Sequence, residues 1–233
     1  MDGGREPPGE EAPMLHTIPW QDPDASPLAL AELSIDPERT ALLVVDMQNY
    51  SALPRRVLDT NLALIEAFRG HGLPVVFLRV GSLLPDARDQ HARRRQSWIR
   101  QPGDAEPPRV PRGSPGFEVC PELAPRPTEL VIDKNATSAF TASALDLYLR
   151  NLGVQNLVVT GTSTNHCVDN TARDAADRGF NVILVDDACA DGSVAGHCAT
   201  MSTFPRHFGS VRRADEVISL FAALLAPEPV GAR

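Results

Sequence analysis

The sequence predicts a three-layer α/β/α fold around a mostly parallel, Rossmann-like sheet of about six strands. Three observations point there. Short apolar, β-branched runs alternate with stretches of helical periodicity. The runs are apolar throughout, as in strands buried on both faces of a parallel sheet. Several of them also lead through a polar turn into a helix, the order that right-handed crossovers require.

The chain has 233 residues, which suits one α/β domain with a full-sized core. Its net charge of −8 argues against nucleic-acid and anionic-membrane surfaces and favours a small-molecule substrate. Residues 1–13 carry no apolar core of the kind a secretion signal needs, and no later run is long enough to span a bilayer, so a cytoplasmic location is expected. The four cysteines (Cys120, Cys167, Cys189, Cys198) form no CxxC pair, which leaves neither a zinc knuckle nor a thioredoxin-like motif.

Residues 1–38 are rich in proline and charge and are expected to form a tail and an arm, with Trp20 as an anchor; residues 39–228 form the domain. The first strand is Thr40 to Asp46, and Asp46 would stand at the sheet's carboxyl edge, where open α/β sheets bind ligands, or else cap the next turn. A helix follows over Val57 to Gly70, with Leu58, Leu62, Ile65 and Phe68 at helical spacing, and then a strand over Pro74 to Val80. The span 81–128 is too long for an ordinary connection and reads as a lid or subunit contact, with Trp98 and Phe117 as apolar anchors and Arg93, Arg94 and Arg95 on a solvated face. Strand three, Glu129 to Asp133, runs into Lys134, and a helix is expected over Thr141 to Asn151.

The fourth strand, Leu157 to Thr160, ends at Gly161, and a Thr-Ser-Thr-Asn turn delivers Cys167 to the start of a helix over Val168 to Arg178. Free N–H groups and the helix dipole there favour a thiolate, with a pKa lowered from about 8.5 toward roughly 3.5–7.5. The same N–H groups can receive the oxygen of a carbonyl under attack. A buried structural cysteine is the alternative. A strand over Asn181 to Asp186, a helix over Ser193 to Thr203, a short strand over Ser210 to Arg212 and a helix over Ala214 to Leu225 complete the chain.

Asp46, Lys134 and Cys167 thus each end a strand, bringing a carboxylate, an ammonium and a thiol to one sheet edge. Burying such charges unpaired costs several kcal/mol, so mutual neutralisation or a reaction is needed to explain them.

The segments "LLVVDMQNY", "VIDKNATSAF" and "TGTSTNHCVDNTARDAADRGFNVILVDDACAD" resemble the isochorismatase-like cysteine hydrolases, from about Thr40 to the last strand. The likeness is nearest to amide- and ureide-hydrolysing members such as ureidoacrylate amidohydrolase, biuret hydrolase and N-carbamoylsarcosine amidase, especially in "KNATSAF" and "TARDAADRGF". The resemblance implies a catalytic triad of Asp46, Lys134 and Cys167. It also implies a cis peptide between Thr162 and Ser163, and an oxyanion hole made by the N–H groups of Ser163 and Cys167. It points to cleavage of a C–N bond in a small linear amide or ureide through a thioester-type intermediate. Nicotinamidases of this family bind a metal through an aspartate and histidines after the second strand; here that region opens "LRVGSLLPDARD", and neither metal nor cofactor is expected.

Candidate substrate contacts are Gln48, Tyr50, Asn135, Phe140, Thr162, Asn165 and His166; a supporting role is the alternative for Gln48, Asn135 and Asn165, core packing for Tyr50 and Phe140, and His166 can point away. Cys189 and Cys198 read as structural, and His71 and His91 as solvent-facing. Relatives usually form dimers or tetramers, so a homo-oligomer is expected. Two other functions remain open. One is hydrolysis of the vinyl ether of isochorismate, which needs no thiol. The other is a non-catalytic scaffold or redox-sensing thiol protein.

Overall fold

The computed structural model describes residues 36–90, 110–141 and 143–226. Trp20, Trp98, His91 and the arginine run Arg93 to Arg95 lie outside them. Six parallel strands form one sheet in the order β3-β2-β1-β4-β5-β6. They are β1 (Thr40–Val45), β2 (Val75–Val80), β3 (Leu130–Lys134), β4 (Asn156–Thr162), β5 (Asn181–Ala190) and β6 (Ser210–Arg212). Among the described residues the α-helices are α1 (Arg55–Gly70), α2 (Leu145–Asn151), α3 (Asp169–Asp177), α4 (Val194–Thr203) and α5 (Ala214–Leu224).

Every residue of β1 is buried, and its side chains alternate between two cores. Leu42 and Val44 face a layer made by Val57, Leu64, Ile65 and Phe68 of α1 with Val217 and Phe221 of α5. Ala41, Leu43 and Val45 face Leu145 and Leu149 of α2, Ala172 and Ala175 of α3, and Met201 of α4. A run apolar from Ala41 to Val45 is what this double covering favours. Among the described residues, no helix is long and apolar enough to cross a membrane.

Three expected boundaries shift. Helix α2 starts at Leu145 and not Thr141, because the Ser143 hydroxyl takes the Leu145 N–H and so holds off the helix until that point. Strand β5 runs on to Ala190, through Asp186, Asp187 and Cys189. Its two aspartates read as a strand end, yet both are satisfied by helices: Asp186 by His197 of α4, and Asp187 by the Ala214 N–H that opens α5. Cys167 does not open an α-helix; it is held in a π-helical turn, Thr164–Val168, that feeds α3.

Candidate active site

Asp46 follows β1 with φ of 51°, a left-handed conformation that aspartate tolerates better than most residues. Its N–H donates to the Leu78 carbonyl at 3.0 Å, and the Thr162 hydroxyl donates to its carbonyl at 3.1 Å. Beside it, Gly161 of β4 has φ of 116°, and a Cβ there would lie 2.0 Å from the Val45 carbonyl oxygen. Only glycine lets β4 pass this close to the end of β1.

Lys134 ends β3 with no exposed surface, and its ammonium donates to Asp46 Oδ2 at 2.8 Å and to the carbonyls of Ala136 and Thr137 at 3.1 and 3.2 Å. Cys167, 2% exposed, lies beside this ion pair, and the charges of both side chains act on its thiol. Three strands separated in the sequence therefore bring carboxylate, ammonium and thiol into one buried cluster. The peptide between Thr162 and Ser163, ahead of the π-turn, is cis.

The lowered pKa expected for Cys167 is not found. Burial, then the negative charge of Asp46, push its thiol up to about 12, and the Lys134 ammonium only partly opposes them. A helix-terminal position can be read from sequence, but the loss of water around the sulfur cannot. The group is a thiol at neutral pH, poised against a carboxylate that can take its proton. Tyr50 is also near: its pKa is raised, first by burial and then by the charges of Asp46 and a Cys167 thiolate, although 46% of the residue as a whole is accessible. With nearly half its surface open to water, Tyr50 is a solvent-facing wall.

The other expected contacts divide. Gln48 is fully buried and spent on backbone: its amide donates to the carbonyls of Phe117 and Val80 at 2.8 and 3.1 Å and accepts the Val80 N–H at 2.7 Å, tying β1 and β2 to the 110–128 segment. Asn135 donates to Asp89 at 3.3 Å, and Thr162 braces Asp46. Phe140 is turned into the core, 5.9 Å from the Phe180 ring and under the Arg178 guanidinium. Asn165 is exposed and packs on Gly196, and His166 is half-buried, with its N–H donating to the Ser163 carbonyl.

A further buried group had no signal in the sequence: Thr164, His197 and Asp186 are hydrogen-bonded in a row behind the π-turn. Among the described residues, no three His, Cys, Asp or Glu side chains cluster to hold a metal ion. A cavity of about 500 Å³ lined by Arg69, Pro74, Arg126 and Tyr148 opens at the amino ends of β2 and β3, away from the cysteine.

The isochorismatase domain family matches residues 40–216 of the chain. The ureidoacrylate amidohydrolase RutB of Pseudomonas savastanoi pv. phaseolicola is 29% identical over 95% of this chain and 95% of its own length. A crystal structure of a cysteine hydrolase from Pseudomonas syringae pv. phaseolicola matches with a TM-score of 0.71 at 28% identity, covering 82% of this chain and 95% of that one. The N-carbamoylsarcosine amidase from Thermoplasma acidophilum matches with a TM-score of 0.62 at 31% identity, over 76% of this chain and 97% of that one.

Proposed function

The chain belongs to the isochorismatase family, and from that premise we propose that it is a cysteine amidohydrolase that cleaves a C–N bond of a small linear amide or ureide. One observation carries the reading: a carboxylate, an ammonium and a thiol meet in a water-poor cluster where three parallel strands end. Similarity to a ureidoacrylate amidohydrolase and an N-carbamoylsarcosine amidase favours ureide and carbamoyl substrates.

With Cys167 protonated at rest, the nucleophile forms only as Asp46 takes its proton during attack. Lys134 balances the negative charge as it passes from carboxylate to sulfur. The S–C bond forms at the substrate carbonyl, whose oxygen is received by the N–H groups of Ser163 and Cys167. Asp46 then returns the proton to the departing nitrogen as the C–N bond breaks, leaving a thioester-type intermediate. Water gives a proton to the same carboxylate and attacks the intermediate; the C–S bond breaks, and Asp46 returns that proton to the sulfur, freeing the thiol and the acid product. No step of this scheme draws on a metal ion, so chelation with EDTA should leave the rate unchanged.

Ammonia release screened across ureides, carbamoyl amino acids and simple amides tests the proposal, with Cys167→Ala as control. Turnover that the Cys167→Ala protein retains, or pyruvate released from isochorismate with no ammonia from any amide, overturns it.

A further inference from the structure

His197 of α4 is 1% exposed and has both ring nitrogens occupied, with Nε2 at 2.8 Å from Asp186 Oδ1 and Nδ1 at 2.9 Å from Thr164 Oγ1. Against a carboxylate, Nε2 carries the proton, so in the neutral ring Nδ1 accepts the Thr164 hydroxyl proton. Hydroxyl, imidazole and carboxylate in this order are the arrangement of a hydrolase nucleophile and its base. Thr164, however, has no exposed surface, so no substrate carbonyl reaches its oxygen. The row acts on backbone instead.

Thr164 is the first residue of the π-turn, and its carbonyl receives the Asp169 N–H; the Ser163 carbonyl before it receives the N–H groups of His166 and Val168. These two carbonyls close the turn around Cys167, and one belongs to the residue that His197 holds. Asp191 grips the same backbone from a second direction, accepting the Asn165 N–H at 2.8 Å through one oxygen and the Ser193 N–H at 2.8 Å through the other. Gly196 of α4 lies against the Asn165 side chain, whose Nδ2 would be 2.1 Å from a Cβ at residue 196.

We infer that Asp186 and His197 are positioning residues that hold Thr164, and through it set the aim of the Cys167 sulfur and the Ser163 N–H at the substrate. The inference rests on Cys167 being the nucleophile. Thr164→Val removes the hydroxyl and keeps the volume, while Thr164→Ser keeps the hydroxyl. On the ureide that wild type hydrolyses fastest, Thr164→Val should lower kcat about ten- to hundredfold with KM within about threefold, and Thr164→Ser should hold kcat within about threefold of wild type. A wild-type kcat in Thr164→Val overturns the inference, and so does an equal loss in Thr164→Ser. If Thr164→Val does not fold, Thr164→Ala carries the same reading. If no ureide is turned over, the rate at which a small neutral disulfide reagent modifies Cys167 decides: a change of at least about threefold in Thr164→Val supports the inference, and an unchanged rate overturns it. Cys167→Ala, assayed alongside, separates the two readings. If it is inactive while Thr164→Val is as fast as wild type, only the positioning role fails; if it is active, the nucleophile assignment itself fails.

Discussion

Cys167 should be sluggish toward thiol reagents in the substrate-free protein. Its pKa is raised from an ordinary 9.0 to about 12, so at pH 7 the thiolate fraction is about 10⁻⁵ against about 10⁻² for an unperturbed thiol. The more basic thiolate is also the better nucleophile. With a Brønsted coefficient of about 0.4–0.5, three units of basicity return roughly 15- to 30-fold. The net deficit is then about 30- to 60-fold relative to free cysteine, before any loss of access through burial. The rate should rise about tenfold per pH unit up to about pH 10 with no plateau. Timed quenching with a small neutral disulfide reagent and peptide mass mapping reads this directly, with half-buried Cys198 as internal reference. Modification of Cys167 ahead of Cys198 at pH 6–7, or a plateau below pH 8, would reveal a preformed thiolate and remove the need for Asp46 as base.

Lys134→Met leaves the Asp46 carboxylate buried without its counter-ion, and should cost about 3–5 kcal/mol in urea unfolding and at least about 10² in the rate of ammonia release. Gly161→Ala forces a Cβ to 2.0 Å from the Val45 carbonyl oxygen at a φ of 116°, so a loss of about 3 kcal/mol or more is expected from the same measurement. The raised pKa of Cys167 also has a thermodynamic side: its burial as a thiol stabilises fully below pH 9 and is lost as pH climbs toward 12. At pH 10 the loss is on the order of 1 kcal/mol, and Cys167→Ala should shrink the fall in stability between pH 7 and pH 10 accordingly.

What the sequence discloses depends on how local the cause is. Strand β1 is legible because both its faces are buried, so after Thr40 every position is apolar. Asp46, Lys134 and Cys167 stand out because strand ends are visible in the pattern and all three ends lie on one edge of a parallel sheet. The continuation of β5 through Asp186 and Asp187 is hidden because their partners, His197 and Ala214, come from helices 11 and 27 residues further along. The direction of a side chain is equally invisible, which is why Gln48 reads as a polar contact or support and Phe140 as a pocket wall, while one braces backbone and the other packs in the core. His197 belongs to no motif, and the hydroxyl it holds lies 33 residues earlier, so only coordinates reveal the pair.

A turn closed by i→i+5 bonds carries one residue more than the α-helix it enters. That surplus residue works as a phase setting, since each residue advances a helix by about 100° of azimuth. Shortening Thr164–Val168 by one would swing the sulfur about a quarter of a revolution away from the ammonium that meets it now, with the strand before and the helix after left intact. Most connections in α/β proteins tolerate small changes of length. In this one, the count of residues is itself part of the chemistry.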